Sequence, residues 1–116
     1  MTQIEIAEAF SKGKFDMVYP YLTDTIQWKV VGQDYFDGKN AVTANCEQVG
    51  NYFESITTDF RTLNIIEENN IVVVNGTAEF IREGKCVSFI SACDVYEFNN
   101  HHKLQTITSY CIQTEK

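Results

Sequence analysis

Asp94 is the residue best placed to do chemistry in this chain. It stands in the alternating run Ala92-Cys93-Asp94-Val95-Tyr96, with Ala92 and Tyr96 on its own side. A carboxyl aimed from such a strand into an apolar interior keeps its proton, because desolvation penalises the charged form; it can then serve as acid, base or hydrogen-bond donor. The same carboxyl can equally serve the fold by bonding a neighbouring Tyr. Tyr96 is the nearest phenol able to assist it.

Other reaction classes lack their groups. The two histidines, His101 and His102, are adjacent in a polar turn. Consecutive residues rarely chelate one ion, and no Cys or further His stands at ligand spacing, so no metal site is expected. A pocket without His cannot run Ser-His-Asp, Cys-His or His-Asp chemistry. No glycine-rich phosphate loop follows a strand, and no cofactor is expected. Cys46, Cys86, Cys93 and Cys111 show no CxxC spacing; three lie in apolar strand-like stretches and read as buried free thiols.

Sixteen acidic against nine basic side chains give a net charge of -7, which repels phosphate backbones and anionic membranes and argues against nucleic-acid binding. The N-terminal residues carry no basic or apolar leader pattern, and no apolar run approaches the roughly 18 residues of a membrane span. A cytoplasmic protein is expected. With 116 residues, 44% hydrophobic and 13% aromatic, the chain reads as a single domain over 1–116.

The elements that must position Asp94 follow from local pattern. Thr2 and Glu5 form a capping box before the stripe Ile6, Ala9, Phe10, Gly13 of a first helix. Phe15, Val18 and Leu22 continue the spacing into a shorter second helix that Pro20 must stop or kink. Thr25 to Val31 alternates as a strand, with Ile26, Trp28 and Val30 as the apolar set and Lys29 among the polar one. Asp34 to Gly38 reads as a loop, with Asp37 able to cap a long helix striped by Val42, Cys46, Val49, Phe53 and Ile56. Gly50 within that stripe suggests a close packing contact. Four long strands follow, Thr58 to Glu67, Ile71 to Arg82, Cys86 to Phe98 and Lys103 to Ile112, joined by short turns and therefore antiparallel. Strands of this length bend through bulges, so the sheet should curl around the helices.

In this order, Glu8-Ala9-Phe10-Ser11-Lys12-Gly13-Lys14-Phe15, Asp24-Thr25-Ile26-Gln27-Trp28, Tyr35-Phe36-Asp37-Gly38-Lys39-Asn40-Ala41-Val42, Asp94-Val95-Tyr96-Glu97-Phe98, Lys103-Leu104 and Ser109-Tyr110 resemble the nuclear transport factor 2-like superfamily, in its SnoaL-like and ketosteroid-isomerase-like branch. The resemblance covers nearly the whole chain. It implies an α+β, cone-shaped NTF2-like (cystatin-like) fold, three N-terminal helices on a strongly curved antiparallel sheet, a pocket at the open end and dimerisation through the outer sheet face. Asp94 matches the position of the family's protonated, oxyanion-binding carboxyl. The phenolic partner's position holds Ile6 and the general base's position holds Lys29, so steroid-type isomerisation is not supported. The resemblance also turns Lys29 inward, against the alternation that buries Trp28; an inward Lys29 could pair with Asp94 or an anionic ligand.

Function is expected to be the binding of a small, largely apolar molecule in a pocket of Ile6, Phe10, Trp28, Phe53, Ala92, Asp94, Ile107, Ser109 and Cys111. One alternative is an isomerase or cyclase in which Asp94, with Tyr96 or Lys29, handles a proton of an enolisable substrate. Another is a non-catalytic dimerisation or interaction domain. A homodimer is expected because Val87, Phe89, Val95 and Tyr110 leave the outer sheet face apolar.

Overall fold

The capping box at the start of the chain forms in full: Glu5 N–H donates to Thr2 Oγ1 at 3.1 Å and Thr2 N–H to Glu5 Oε1 at 2.8 Å. It opens helix α1, Gln3–Ser11, whose Ile6, Ala7, Ala9 and Phe10 are buried. The coordinates are a computed structural model and describe residues 1–114. The last two residues of the expected 1–116 domain lie outside them.

Gly13 follows α1 at φ +76°, and a Cβ there would come within 2.6 Å of the Phe53 ring. Glycine is thus required twice, by conformation and by contact. The expected second helix is instead a pair of 3-10 turns, Phe15–Met17 and Tyr19–Tyr21. Pro20 lacks the N–H that an α-helix would use and disfavours the helical region for Tyr19. Phe15, Val18 and Leu22 are nevertheless all buried. Among the described residues two α-helices, not three, therefore cover the sheet.

Strand β1 runs Leu22–Val30 and pairs with a short β2, Asp34–Asp37, where a loop was expected. Phe36 makes that pairing worthwhile by resting on Trp28, ring centres 5.5 Å apart. Helix α2, Lys39–Glu54, is capped by Gly38 and not by the Asp37 side chain. Its Val42 and Cys46 are buried, while Ile56 lies beyond its end in a small cluster with Ala78 and Phe80. A Cβ at Gly50 would meet Phe15 at an ordinary 3.8 Å, so no close approach requires that glycine.

Strands β3 (Thr57–Glu68), β4 (Ile71–Arg82), β5 (Lys85–Phe98) and β6 (Leu104–Thr114) form an antiparallel meander. The sheet order is β2-β1-β6-β5-β4-β3. β1 and β6 run parallel, which corrects the all-antiparallel expectation: no hairpin links these two, and hairpins alone force the antiparallel sense. Asn69 and Asn70 (φ 53° and 63°) and Glu83 and Gly84 (55° and 77°) turn the hairpins with the left-handed residues that match strand twist.

Register shifts at Thr62/Asn64, Phe80/Ile81 and Glu97/Phe98 mark the bulges at which the long strands bend. At the first, Gly76 lets β3 approach so closely that a Cβ would stand 2.5 Å from the Arg61 carbonyl oxygen. The inner face holds the main core, including Ile6, Ile26, Val72, Tyr96, Leu104 and Ile107.

Candidate functional site

Asp94 sits in the middle of the sheet's inner face, opposite Val74 of β4 and Ser109 of β6. Its partners come from three elements. Ser11, the last residue of α1, donates from Oγ to Asp94 Oδ2 at 2.9 Å and lies 2.6 Å from the Tyr96 hydroxyl. Tyr96 Oη is itself 3.4 Å from Oδ2. Ser109 hydrogen-bonds the same carboxyl and accepts from Trp28 Nε1 at 3.0 Å.

Burial raises the Asp94 carboxyl above its ordinary value, while the hydroxyls of Ser109, Ser11 and Tyr96 pull it part of the way back. Burial first, and then the Asp94 charge, push the Tyr96 phenol well up and the Cys111 thiol to about 11. Neither is an anion at neutral pH.

A cavity of about 500 Å³ opens in front of Asp94. Of the residues expected on its wall, Phe10, Trp28, Phe53, Ala92, Asp94, Ser109 and Cys111 line it. Ile6 and Ile107 do not: both are sealed in the core at 1% and 0% exposure, packed behind the wall. Tyr96, also 0% exposed, reaches the site through its hydroxyl. Lys29 is exposed on the opposite face of β1, paired across to Tyr35 and Thr108. Trp28 is the inward residue, so the period-2 alternation prevails over the inward placement of Lys29, and a desolvated ammonium is avoided.

Sequence reasoning missed Ser11 as a site residue. A signal was present, since Ser11 follows the fully buried Ala7 by four residues and so shares its helix face. Phe36, Phe60 and Phe80 also line the cavity. Polar groups gather at other wall positions, with Arg61 3.0 Å from Asp59 and Lys12 3.5 Å from Glu8.

A second depression of about 460 Å³, between α2 and the turn at Phe15, carries Asp16, Glu47 and Glu54 but no converging network. His101 and His102 are exposed in the β5–β6 turn, His102 Nδ1 lying 2.8 Å from Gln3 Nε2. Among the described residues no three potential metal ligands cluster. Cys46 is buried, Cys93 and Cys111 are half-buried, and Cys86 is exposed, contrary to its reading as an apolar buried thiol, because it flanks the Glu83-Gly84 turn. No helix among the described residues is long and apolar enough to cross a membrane.

Residues 4–105 match the SnoaL-like domain family. An NTF2-like protein of unknown function from Cytophaga hutchinsonii is 34% identical over 94% of this chain and 95% of its own, with a TM-score of 0.84. An LEH-like epoxide hydrolase of M. tuberculosis shares the fold at 17% identity, covering 95% of this chain and 82% of its own (TM-score 0.72). So does a SnoaL-like family protein from Agrobacterium tumefaciens, at 14% identity over 97% and 99% (TM-score 0.70). No curated protein matches the chain.

Proposed function

We propose that this chain, which belongs to the SnoaL-like domain family of the NTF2-like superfamily, holds a small, largely apolar molecule in its cavity with one polar group set against Asp94. The observation that carries this reading is the hydroxyl-braced carboxyl at the wall of an aromatic cavity. Its volume of about 500 Å³ falls within the range of about 300–1,000 Å³ usual for small-molecule sites. Apolar walls supply affinity without direction, and the carboxyl supplies orientation.

A thermal-shift panel of apolar ketones, alcohols and ethers tests the reading. A compound present at about 100 times its Kd should stabilise the fold by about 2.7 kcal/mol. A panel that leaves the melting temperature unmoved overturns it.

The raised affinity of Asp94 for its proton favours a second reading, an isomerase or cyclase in which this carboxyl donates or removes a proton on an enolisable substrate. Tyr96 would assist through Ser11. Lys29, on the outer face, has no part in it.

The outer sheet face is proposed as a homodimer interface, which is also the basis of a third reading, a domain whose role is assembly. Ile66, Tyr110 and Ile112 are 60%, 47% and 63% exposed there, beside half-buried Phe89 and Val95. The helices already occupy the inner face and cannot cover these side chains, whereas two sheets packed together could bury the minimum of about 1,000 Å² that a stable pair needs. Sedimentation at tens of micromolar should give twice the chain mass, and Ile112→Glu should return it to the monomer. A monomeric wild type would exclude the interface.

A further inference from the structure

Two chains of donors end on Asp94. In one, the Trp28 indole N–H donates to Ser109 Oγ at 3.0 Å, and Ser109 bonds the carboxyl. An indole nitrogen donates only, so Ser109 accepts that hydrogen and directs its own at Asp94. In the other, Tyr96 is fully buried and its hydrogen bonds among the described residues run to Ser11 at 2.6 Å and to Asp94 Oδ2 at 3.4 Å. The second distance is beyond a good O–H···O contact, which places the phenol hydrogen on Ser11 and the Ser11 hydrogen on Oδ2. A neutral Asp94 carrying its proton on Oδ2 would reverse this chain. The buried Tyr96 hydroxyl would then lack an acceptor, which is costly in the interior.

We propose that Ser11, braced by the Tyr96 hydroxyl, is a positioning residue that commits Oδ2 of Asp94 to the protein, so that the carboxyl exchanges its proton with a bound molecule through Oδ1. This rests on the reading that the cavity takes its ligand at Asp94. A neutral Asp94 then offers the cavity one O–H and selects a molecule bearing a carbonyl or ether oxygen; an ionised Asp94 selects one bearing O–H or N–H. The titratable groups around the carboxyl are Tyr96 on its own strand and Cys111 on β6. α1 presents Ser11 to it, β4 carries Val74 beside it, and β1 reaches it through Trp28 and Ser109. Lys12, Asp34 and Arg61 stand elsewhere on the cavity wall, Lys12 beside Glu8 and Arg61 beside Asp59.

The test is a ¹³C chemical-shift titration of the Asp94 carboxyl in ligand-free protein. Ser11→Ala should raise the midpoint by about one pH unit, since a hydrogen bond to the charged form is lost. Ser11→Thr should restore it, and Tyr96→Phe should raise it by less. A folded Ser11→Ala protein that titrates at the wild-type midpoint, or a Ser11→Thr protein that titrates like the alanine variant, overturns the proposal. Should Ser11→Ala not fold, Ser11→Gly removes the same hydroxyl and carries the same upward expectation, and no shift there is equally fatal. Because no ligand is used, a protein that fails the thermal-shift panel can still support the relay, and one that binds well can still refute it.

Discussion

Phe10→Ala is expected to lower the free energy of unfolding by about 3–5 kcal/mol, the largest effect of any single truncation near the cavity. Phe10 is 4% exposed and stands at the junction of α1, β1 and β5. Its ring meets Phe15 and Trp28 edge-on, both at 5.0 Å, and Tyr96 at 5.8 Å. Removing it takes away buried apolar area and three aromatic contacts at once, and the sheet behind cannot close the gap because its strands are fixed by hydrogen bonds. Urea denaturation gives the measurement. Tyr35→Ala, at a 58% exposed position, should change stability by no more than about 0.5 kcal/mol. A Phe10→Ala loss below about 1 kcal/mol would mean that the core relaxes into the space and that the aromatic cluster does not hold α1 on the sheet.

Asp94→Asn is expected to turn the pH dependence of stability around this site flat. The folded carboxyl holds its proton more tightly than the ordinary value of 3.8, and burial is the main cause. Its favourable contribution is therefore complete below that value and is lost as pH rises through the folded midpoint. In the window between, the native state carries one proton more than the unfolded chain, so wild-type stability falls by up to about 1.4 kcal/mol per pH unit. Asparagine has no such proton. The stability advantage of Asp94→Asn over wild type should accordingly grow with pH across that window and stay constant below it. The amide oxygen can accept from Ser11 while its NH₂ faces the cavity, so binding of a ketone should survive and acid–base turnover should not. Asp94→Ala differs in kind: Ser11 and Ser109 would each direct a hydrogen at nothing, at about 1–3 kcal/mol per orphaned donor. Equal differences between wild type and Asp94→Asn at low and neutral pH would show that the carboxyl is not desolvated.

The local patterns of the sequence determined most of the elements, though not the 3-10 turns around Pro20 or the short strand β2, and the facing of most side chains. The Thr2–Glu5 capping box, the Val42–Cys46 stripe and the alternation around Asp94 each express a helix or strand period, which is a property of neighbouring residues. That alternation already placed Asp94 with Ala92 and Tyr96, and the alternation of the first strand placed Trp28 opposite Lys29. The match of several short motifs in order was enough to indicate the family. Tertiary structure alone decided which of these faces meet. Ser11 and Asp94 are 83 residues apart, and no local period encodes that encounter. The parallel pairing of β1 with β6, which sets Trp28 beside Ser109, likewise depends on how the whole chain folds back. Ile6 and Ile107 share the apolar character of the cavity wall and lie behind it, because periodicity says which face of an element is buried and only packing says whether that face meets a cavity or another side chain.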